Sequence, residues 1–569
     1  MERLSMITRV VRPVTISTGT FLSILLLAAA TATAQTPERP VVVTGDGVLI
    51  TEGLLIPGWD YFQSAWRLDP VERSRVQGLW APPSAGTRID SAHTWQPVQA
   101  DSSGWIAHPN LRGGYLYAEV QSESERIVIL EGFGYRRVLV NGEPRAGNVY
   151  GFKERWESWE PQFDFSFVPV RLKAGSNEFL FVGGRAPRMK ATLHELDTPY
   201  VLNARDATLP DLIVGEKADY QAAVALINTT ESTARGLVLM SSVGDDSQVE
   251  TTIPDLPPLS VRKVGFRIEA PVPAETGTVV VQLAVQEPGA NEPVESATIE
   301  LAVRDPHENH RRTFVSSIDG SVQYYGFNPA RIDDAHTPPA LVLSVHGAAV
   351  EAINQSGSYR AKTWAHIVAP TNRRPYGFNW EDWGRLDALE VLSIARKKLK
   401  VDERRVYLTG HSMGGHGTWH LGALYPDRFA AIGPSAGWIS FWSYRPRGEV
   451  ELHSPIQRML MRSTLPSRTM DLATNYADLG VYIIHGADDD NVPAEQSRMM
   501  VERLSGFHRD FVYHEEPDAG HWWDKSDEDG ADCVDWPPLF DFFARHARPD
   551  LSEVRDVDFV VPNPGVSSC

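Results

Sequence analysis

The chain is 569 residues long, with 54 Lys and Arg against 73 Asp and Glu, a formal charge of −19. Hydrophobic residues make up 42% and charged residues 22%, a composition that excludes a disordered or collagen-like protein. So acidic a balance argues against nucleic acid and anionic membranes as partners, since both require clustered positive charge. At roughly 100–200 residues per domain, the length suggests about three domains.

The first segment, residues 1–34, reads as a cleaved signal peptide. Arg3, Arg9 and Arg12 form a positive start, Phe21 to Ala30 a short apolar core, and Ala32-Thr33-Ala34 a small-x-small cleavage pattern. An apolar run of about ten residues spans only half a bilayer, so a membrane anchor fits less well. Export to the periplasm or the extracellular space is the expectation, with no stable membrane anchor. Two cysteines, Cys533 and Cys569, are too few for a disulfide scaffold. A bridge between them is one possibility; two unpaired thiols is the better reading, because Cys569 ends the chain.

Residues 41–200 read as short strands between turns, among them Tyr115–Val120, Ile127–Leu130, Arg137–Val140 and Glu178–Val182, with Asn141-Gly142 as a hairpin signal. Tryptophan is dense here: Trp59, Trp66, Trp80, Trp95, Trp105, Trp156 and Trp159. The expected fold is a jelly-roll-like β-sandwich. The stretch from Val138 to Val182 resembles the accessory sandwich modules of secreted carbohydrate-active enzymes. Residues 205–305 are poor in aromatics and alternate in period two along Tyr220–Asn228, Gly236–Ser242, Val261–Ile268 and Thr278–Val285. An immunoglobulin-like β-sandwich acting as a spacer is expected. No repeat of the propeller length occurs across these regions.

From 310 to 548 strands alternate with helices: Ala340–Val345, Arg405–Thr409, Val481–Ile484 and Asp510–His514 as strands, Gly384–Leu399, Gly415–Tyr425 and Leu539–His546 as helices. That alternation implies a mostly parallel sheet flanked by helices. Residues 549–569 form a tail.

The chemistry centres on Gly410-His411-Ser412-Met413-Gly414, a G-x-S-x-G between a strand and a helix. Such a turn presents the serine hydroxyl above the sheet, and the glycines allow the backbone to pass closely. A serine nucleophile needs a base and the base an orienting acid, in the chain order Ser, Asp or Glu, His. After the strand Val481–Ile484 come three adjacent carboxylates, Asp488, Asp489 and Asp490, any of which could serve. His521, in Asp518-Ala519-Gly520-His521-Trp522-Trp523, follows the last core strand and is the candidate base; His514 is the spare, inside the strand. The oxyanion donors are read as the N–H groups of Met413 and of Ala348, in His346-Gly347-Ala348.

Residues of about 310–548 resemble an α/β-hydrolase of the prolyl oligopeptidase superfamily, similar to its secreted feruloyl-esterase-like members. The strings that carry the resemblance are VYLTGHSMGGHGTW, YPDRFAAIGPSAGW, HGADDDNVP and DAGHWW. In that fold the acid stands three residues before a Val and four before a Pro, a register the resemblance lays on Asp489. The peptidases of the superfamily carry a β-propeller that this chain lacks, which favours ester over peptide substrates. The resemblance therefore implies a serine hydrolase that cleaves carboxylic esters, including acyl groups on polysaccharide, through an acyl-enzyme and without a cofactor. A peptidase is the alternative, and a non-catalytic binding protein the remote one.

Aromatics on two loops are candidate substrate walls: Trp438, Phe441, Trp442 and Tyr444 on one, Trp380 and Trp383 on the other, with Arg445 and Arg447 as carboxylate holders. Packing of these rings against the sheet is an equal reading. His416 and His420 lie four apart on a helix but lack the Glu of a zinc motif, so no metal is expected. The acidic run from Asp524 to Asp532 fails EF-hand spacing and reads as a solvated loop.

Overall fold

The computed structural model describes residues 47–59, 69–148, 166–184, 186–217, 219–244, 248–332, 337–373, 377, 379–444, 455–550, 552, 554–563 and 565–567. Residues 1–34, expected to be a signal segment, and Trp66, Trp156, Trp159 and Cys569 lie outside them.

The first region is rich in strands. A six-stranded antiparallel sheet runs in the order Gln96–Gln99, Glu52–Ile56, Tyr115–Ser122, Gly175–Gly183, Tyr135–Val140, Glu143–Asn148. A five-stranded sheet contains Val48–Leu49, Ile106–Ala107, Arg126–Phe133, Phe167–Leu172 and Arg188–His194. Period-two alternation sorts the side chains. Leu116 and Ala118 enter a cluster shared with Val128 and Leu130 of the other sheet, while Tyr115 and Tyr117 face the opposite way, onto Trp80 and Trp95. Trp59, Trp80 and Trp95 thus cover the face of the six-stranded sheet turned away from that shared cluster. Asn141 and Gly142, with φ of 51° and 87°, make the expected tight hairpin turn. The same region holds a short helix, Pro70–Val76, capped by Asp69 through the Glu72 N–H at 2.9 Å.

The second region has a three-stranded sheet (Tyr200–Thr208, Tyr220–Asn228, Ser260–Ile268) and a five-stranded one (Leu212–Ile213, Glu295–Arg304, Gly277–Gln286, Val238–Ser242, Gln248–Thr252). Leu226 and Phe266 of the first meet Val281, Leu283 and Leu301 of the second in one buried cluster.

An eight-stranded sheet follows, in the order His310–Val315, Val322–Asn328, Ala365–Pro370, Ala340–Val345, Val406–His411, Ala431–Ser435, Gly480–Gly486, Phe511–Glu516. The first two strands are antiparallel and the last six parallel. Every residue of Ala340–Val345, Val406–His411 and Gly480–Gly486 is buried, as expected of strands covered on both faces. Helices Asp382–Lys398, Met413–Leu424, Glu495–Ser505 and Pro537–Ala544 flank the sheet. The chain order reverses where Ala340–Val345 lies between Ala365–Pro370 and Val406–His411, and open sheets bind ligands beyond the carboxyl ends of strands at such a point. Among the described residues, no helix is long and apolar enough to cross a membrane.

Candidate active site

Ser412 sits between the strand Val406–His411 and the helix Met413–Leu424 with φ 60° and ψ −117°. A positive φ is costly for a residue with a Cβ. Bonds on both sides hold it: the Ser412 N–H donates to Ser435 O and the His416 N–H to Ser412 O, each at 3.0 Å. The neighbouring glycines supply room. A Cβ on Gly414 would lie 1.9 Å from Val345 O, and one on Gly415 would lie 2.3 Å from Ser435 O. Strands on either side therefore press against the turn, and Ser412 stands at a helix N-terminus, where developing negative charge is favoured.

His521 lies beyond the strand Phe511–Glu516. Its Nε2 is 2.9 Å from Ser412 Oγ and its Nδ1 is 2.8 Å from Asp489 Oδ2. With the proton on Nδ1, the ring donates to Asp489 and accepts from the serine hydroxyl. Asp489 is buried, whereas Asp488 and Asp490 are exposed. Its Oδ1 accepts from the N–H groups of Asn491 at 2.9 Å and Val492 at 2.8 Å. Burial alone would raise this carboxyl; bonds with His485 and His521 and the Val492 N–H outweigh it and hold it well below the usual carboxylate range. The loops that bear Asp489 and His521 touch directly. The Asp488 N–H donates to Ala519 O at 2.9 Å, and a Cβ on Gly486 would meet Gly520 O at 2.3 Å.

The residue before Ser412, His411, is buried beside His521 at 4.9 Å between ring centroids. Burial, then the neighbouring His521, pushes its imidazole well below the ordinary range. Its Nδ1 faces Ser435 Oγ at 3.1 Å, and Ser435 donates to Cys533 O at 2.6 Å. The Cys533 thiol is buried and pushed up to about 12.

The loop His346-Gly347-Ala348 follows Ala340–Val345 and lies against Ser412: a Cβ on Gly347 would be 3.6 Å from Ser412 Cβ. Met413 opens the helix and is buried, while Ala348 is exposed.

The candidate wall residues divide. Trp380 is wholly buried and donates its indole N–H to His346 O at 3.0 Å. Trp438 is buried in a stack between His416, at 5.0 Å, and Tyr444, at 4.7 Å. Trp442 is half-buried and donates to Thr464 Oγ1 at 3.1 Å. Trp383 and Phe441 keep exposed rings. Arg445 and Arg447 lie outside the described residues. Trp522, passed over by sequence reasoning although it adjoins His521, is 55% exposed and sets its ring edge-on to His411 at 5.3 Å. His416 bonds Trp438 O and Glu381 Oε1 at 3.0 and 3.2 Å. Among the described residues, no group of His, Cys, Asp and Glu is placed to hold a metal. Asp532 caps its own loop by accepting from the N–H groups of Lys525 and Ser526 at 2.8 and 2.7 Å.

The sheet order and the serine on its strand-to-helix turn are those of the α/β-hydrolase fold. Residues 344–549 match the family model of the prolyl oligopeptidase family. A protein of Arthroderma benhamiae described as an uncharacterized secreted protein is 25% identical over 361 residues, 59% of this chain and 38% of its own length. Poly(3-hydroxyalkanoate) depolymerase C of Paucimonas lemoignei is 29% identical over 143 residues, 20% of this chain and 34% of its own length. The chain thus spans about a third of the length of these curated relatives. Among solved structures, a thermostable esterase is similar with a TM-score of 0.33 and 17% identity, covering 60% of this chain and 100% of that one.

Proposed function

We propose that the protein is an exported esterase in which Ser412 is the nucleophile, His521 the general base and Asp489 the residue that orients it. One observation carries the reading: the His521 imidazole bridges Ser412 Oγ at 2.9 Å and Asp489 Oδ2 at 2.8 Å. His521 takes the serine proton as Ser412 attacks the ester carbonyl, and the N–H groups of Ala348 and Met413 bind the oxyanion. His521 then protonates the leaving alcohol, activates water, and the acyl-enzyme is hydrolysed.

The depolymerase relative, whose name states a polymer substrate, supports an ester linkage. The secreted relative supports export through the signal segment. In this reading the regions 41–200 and 205–305 are β-sandwiches, the first jelly-roll-like and the second immunoglobulin-like. They precede a catalytic domain at 310–548 and a tail at 549–569. The match to the prolyl oligopeptidase family favours peptide hydrolysis as the second reading. Hydrolysis of p-nitrophenyl esters, feruloyl sugars and prolyl anilides by the purified protein separates the two. Ester turnover without anilide turnover is expected; the reverse would make the protein a peptidase.

A further inference from the structure

Among the described residues from Asn372 to Asp382, strained backbone is dense. Asn372, Arg373, Asn379, Trp380 and Asp382 all have positive φ, with Trp380 at 63°. For so bulky a residue that conformation is an outlier and persists only where surrounding contacts enforce it. At its start the segment is anchored to the helix Asp382–Lys398: the Asn372 N–H donates to Asp387 Oδ2 at 2.9 Å, and Arg373 pairs with Asp387 at 3.3 Å and Glu390 at 3.4 Å. At its end Trp380 is buried against Gly417 of the nucleophile helix, where a Cβ would come within 2.4 Å of the indole.

What this effort holds in place is the His346-Gly347-Ala348 loop. The Trp380 indole N–H donates to His346 O at 3.0 Å, and the indole meets the His346 ring edge-on at 4.9 Å. The His346 ring lies between two carbonyls, with Nδ1 2.8 Å from Gly347 O and Nε2 3.0 Å from Thr371 O. Gly347 C=O and Ala348 N–H are opposite ends of one planar peptide, so holding the oxygen aims the hydrogen. Burial lowers the His346 imidazole, so one ring nitrogen carries the proton; in the Nδ1–H form it donates to Gly347 O, and two successive carbonyls are then held immediately before the N–H assigned to the oxyanion.

We propose that Trp380, read from the sequence as a substrate wall, is instead a positioning residue. Its indole N–H holds the loop that presents the Ala348 N–H, so it acts on the tetrahedral intermediate and leaves ground-state binding alone. This inference rests on the esterase reading above.

The test is Trp380→Phe, which keeps a ring and removes the donor. On p-nitrophenyl acetate, kcat should fall roughly 10- to 100-fold with KM within about twofold, because a misaimed donor costs transition-state stabilisation only. The inhibition constant of a boronic acid, whose tetrahedral adduct on Ser412 fills the oxyanion position, should rise by the same factor. Trp419→Phe is the control: Trp419 is equally buried and its indole N–H has no hydrogen-bond partner among the described residues. It should leave both readouts unchanged. His346→Gln reads the loop from its other side and should reproduce the split if Trp380→Phe does not fold. A folded variant with wild-type kcat and boronate affinity, or with only a lowered Tm, overturns the inference. A wild type that neither turns over the ester nor binds the boronate overturns the esterase reading, and this inference with it.

Discussion

Asp489 divides its carboxylate between the backbone and His521. Oδ1 takes the N–H groups of Asn491 and Val492 at 2.9 and 2.8 Å, while Oδ2 faces His521 Nδ1 at 2.8 Å. The backbone bonds fix the carboxylate plane, so the second oxygen points between His521 and the buried His485, whose Nε2 is 3.3 Å away. Asp488 and Asp490, on either side, are exposed.

That difference separates the three carboxylates by experiment. Asp489→Asn should lower kcat by roughly 10³- to 10⁴-fold, since an amide disturbs the tautomer that lets Nε2 accept the serine proton. Asp488→Asn should stay within a few-fold of wild type. Steady-state kinetics on one p-nitrophenyl ester read both, and a larger loss in Asp488→Asn would move the acid by one position.

The same bonds set the pH behaviour. Asp489 is held well below the usual carboxylate range, and burial keeps His411 neutral, so neither changes charge in the neutral range. The acid limb of log kcat/KM should rise with pH at slope one, because the protonated base cannot accept. For stability the sign is set by a folded carboxyl depressed below its unfolded value of about 3.9. Its contribution is present above that pH and is lost as the pH falls further. Urea unfolding of wild type and Asp489→Asn at pH 3 to 7 should show the variant losing less stability on acidification.

At the turn that bears Ser412, Gly414→Ala brings a Cβ to 1.9 Å from Val345 O, a backbone atom that cannot swing away. The strand Ala340–Val345 or the turn must shift. A lowered Tm together with loss of more than about tenfold in kcat is expected, since a displacement of about 1 Å at the nucleophile costs on that order or more. Differential scanning fluorimetry and the same ester assay measure it; retained activity would mean the turn has slack.

Lys362 and Asp535 form a buried ion pair, with the Lys362 ammonium 4.0 Å from the Phe540 ring centroid. Removing Lys362 leaves the buried Asp535 carboxylate with Arg360 alone, whose Nε is 3.6 Å away and whose backbone N–H donates at 3.0 Å, and breaking a buried pair costs up to about 3–5 kcal/mol. Lys362→Met should therefore destabilise strongly, and Lys362→Met with Asp535→Leu should recover much of the loss. Chemical denaturation of the single and double variants checks the order; a double variant no better than the single would assign the effect to packing.

The strand-to-helix turn at Ser412 was legible because it needs a fixed glycine pattern between two different periodicities. Strands such as Tyr220–Asn228 were legible from alternation, and that one has the expected bounds. The helix Pro70–Val76 was missed, although Asp69 and Pro70 form an ordinary N-cap and first turn, because its surroundings read as β. The loop tryptophans were ambiguous for a different reason. A ring that packs and a ring that faces substrate have the same composition and spacing. Only the buried bond from Trp380 to His346 O and the stack around Trp438 separate them from Trp383 and Trp522. The acid was undetermined by residue type because three aspartates adjoin, and the structure turns only Asp489 inward.

The most direct measurement is labelling by a fluorophosphonate probe, read by intact mass and peptide mapping, alongside ester turnover. The account predicts a single adduct on Ser412, loss of turnover in step with labelling, and a folded Ser412→Ala variant that neither labels nor hydrolyses. Labelling at another residue, or full activity in Ser412→Ala, would contradict it.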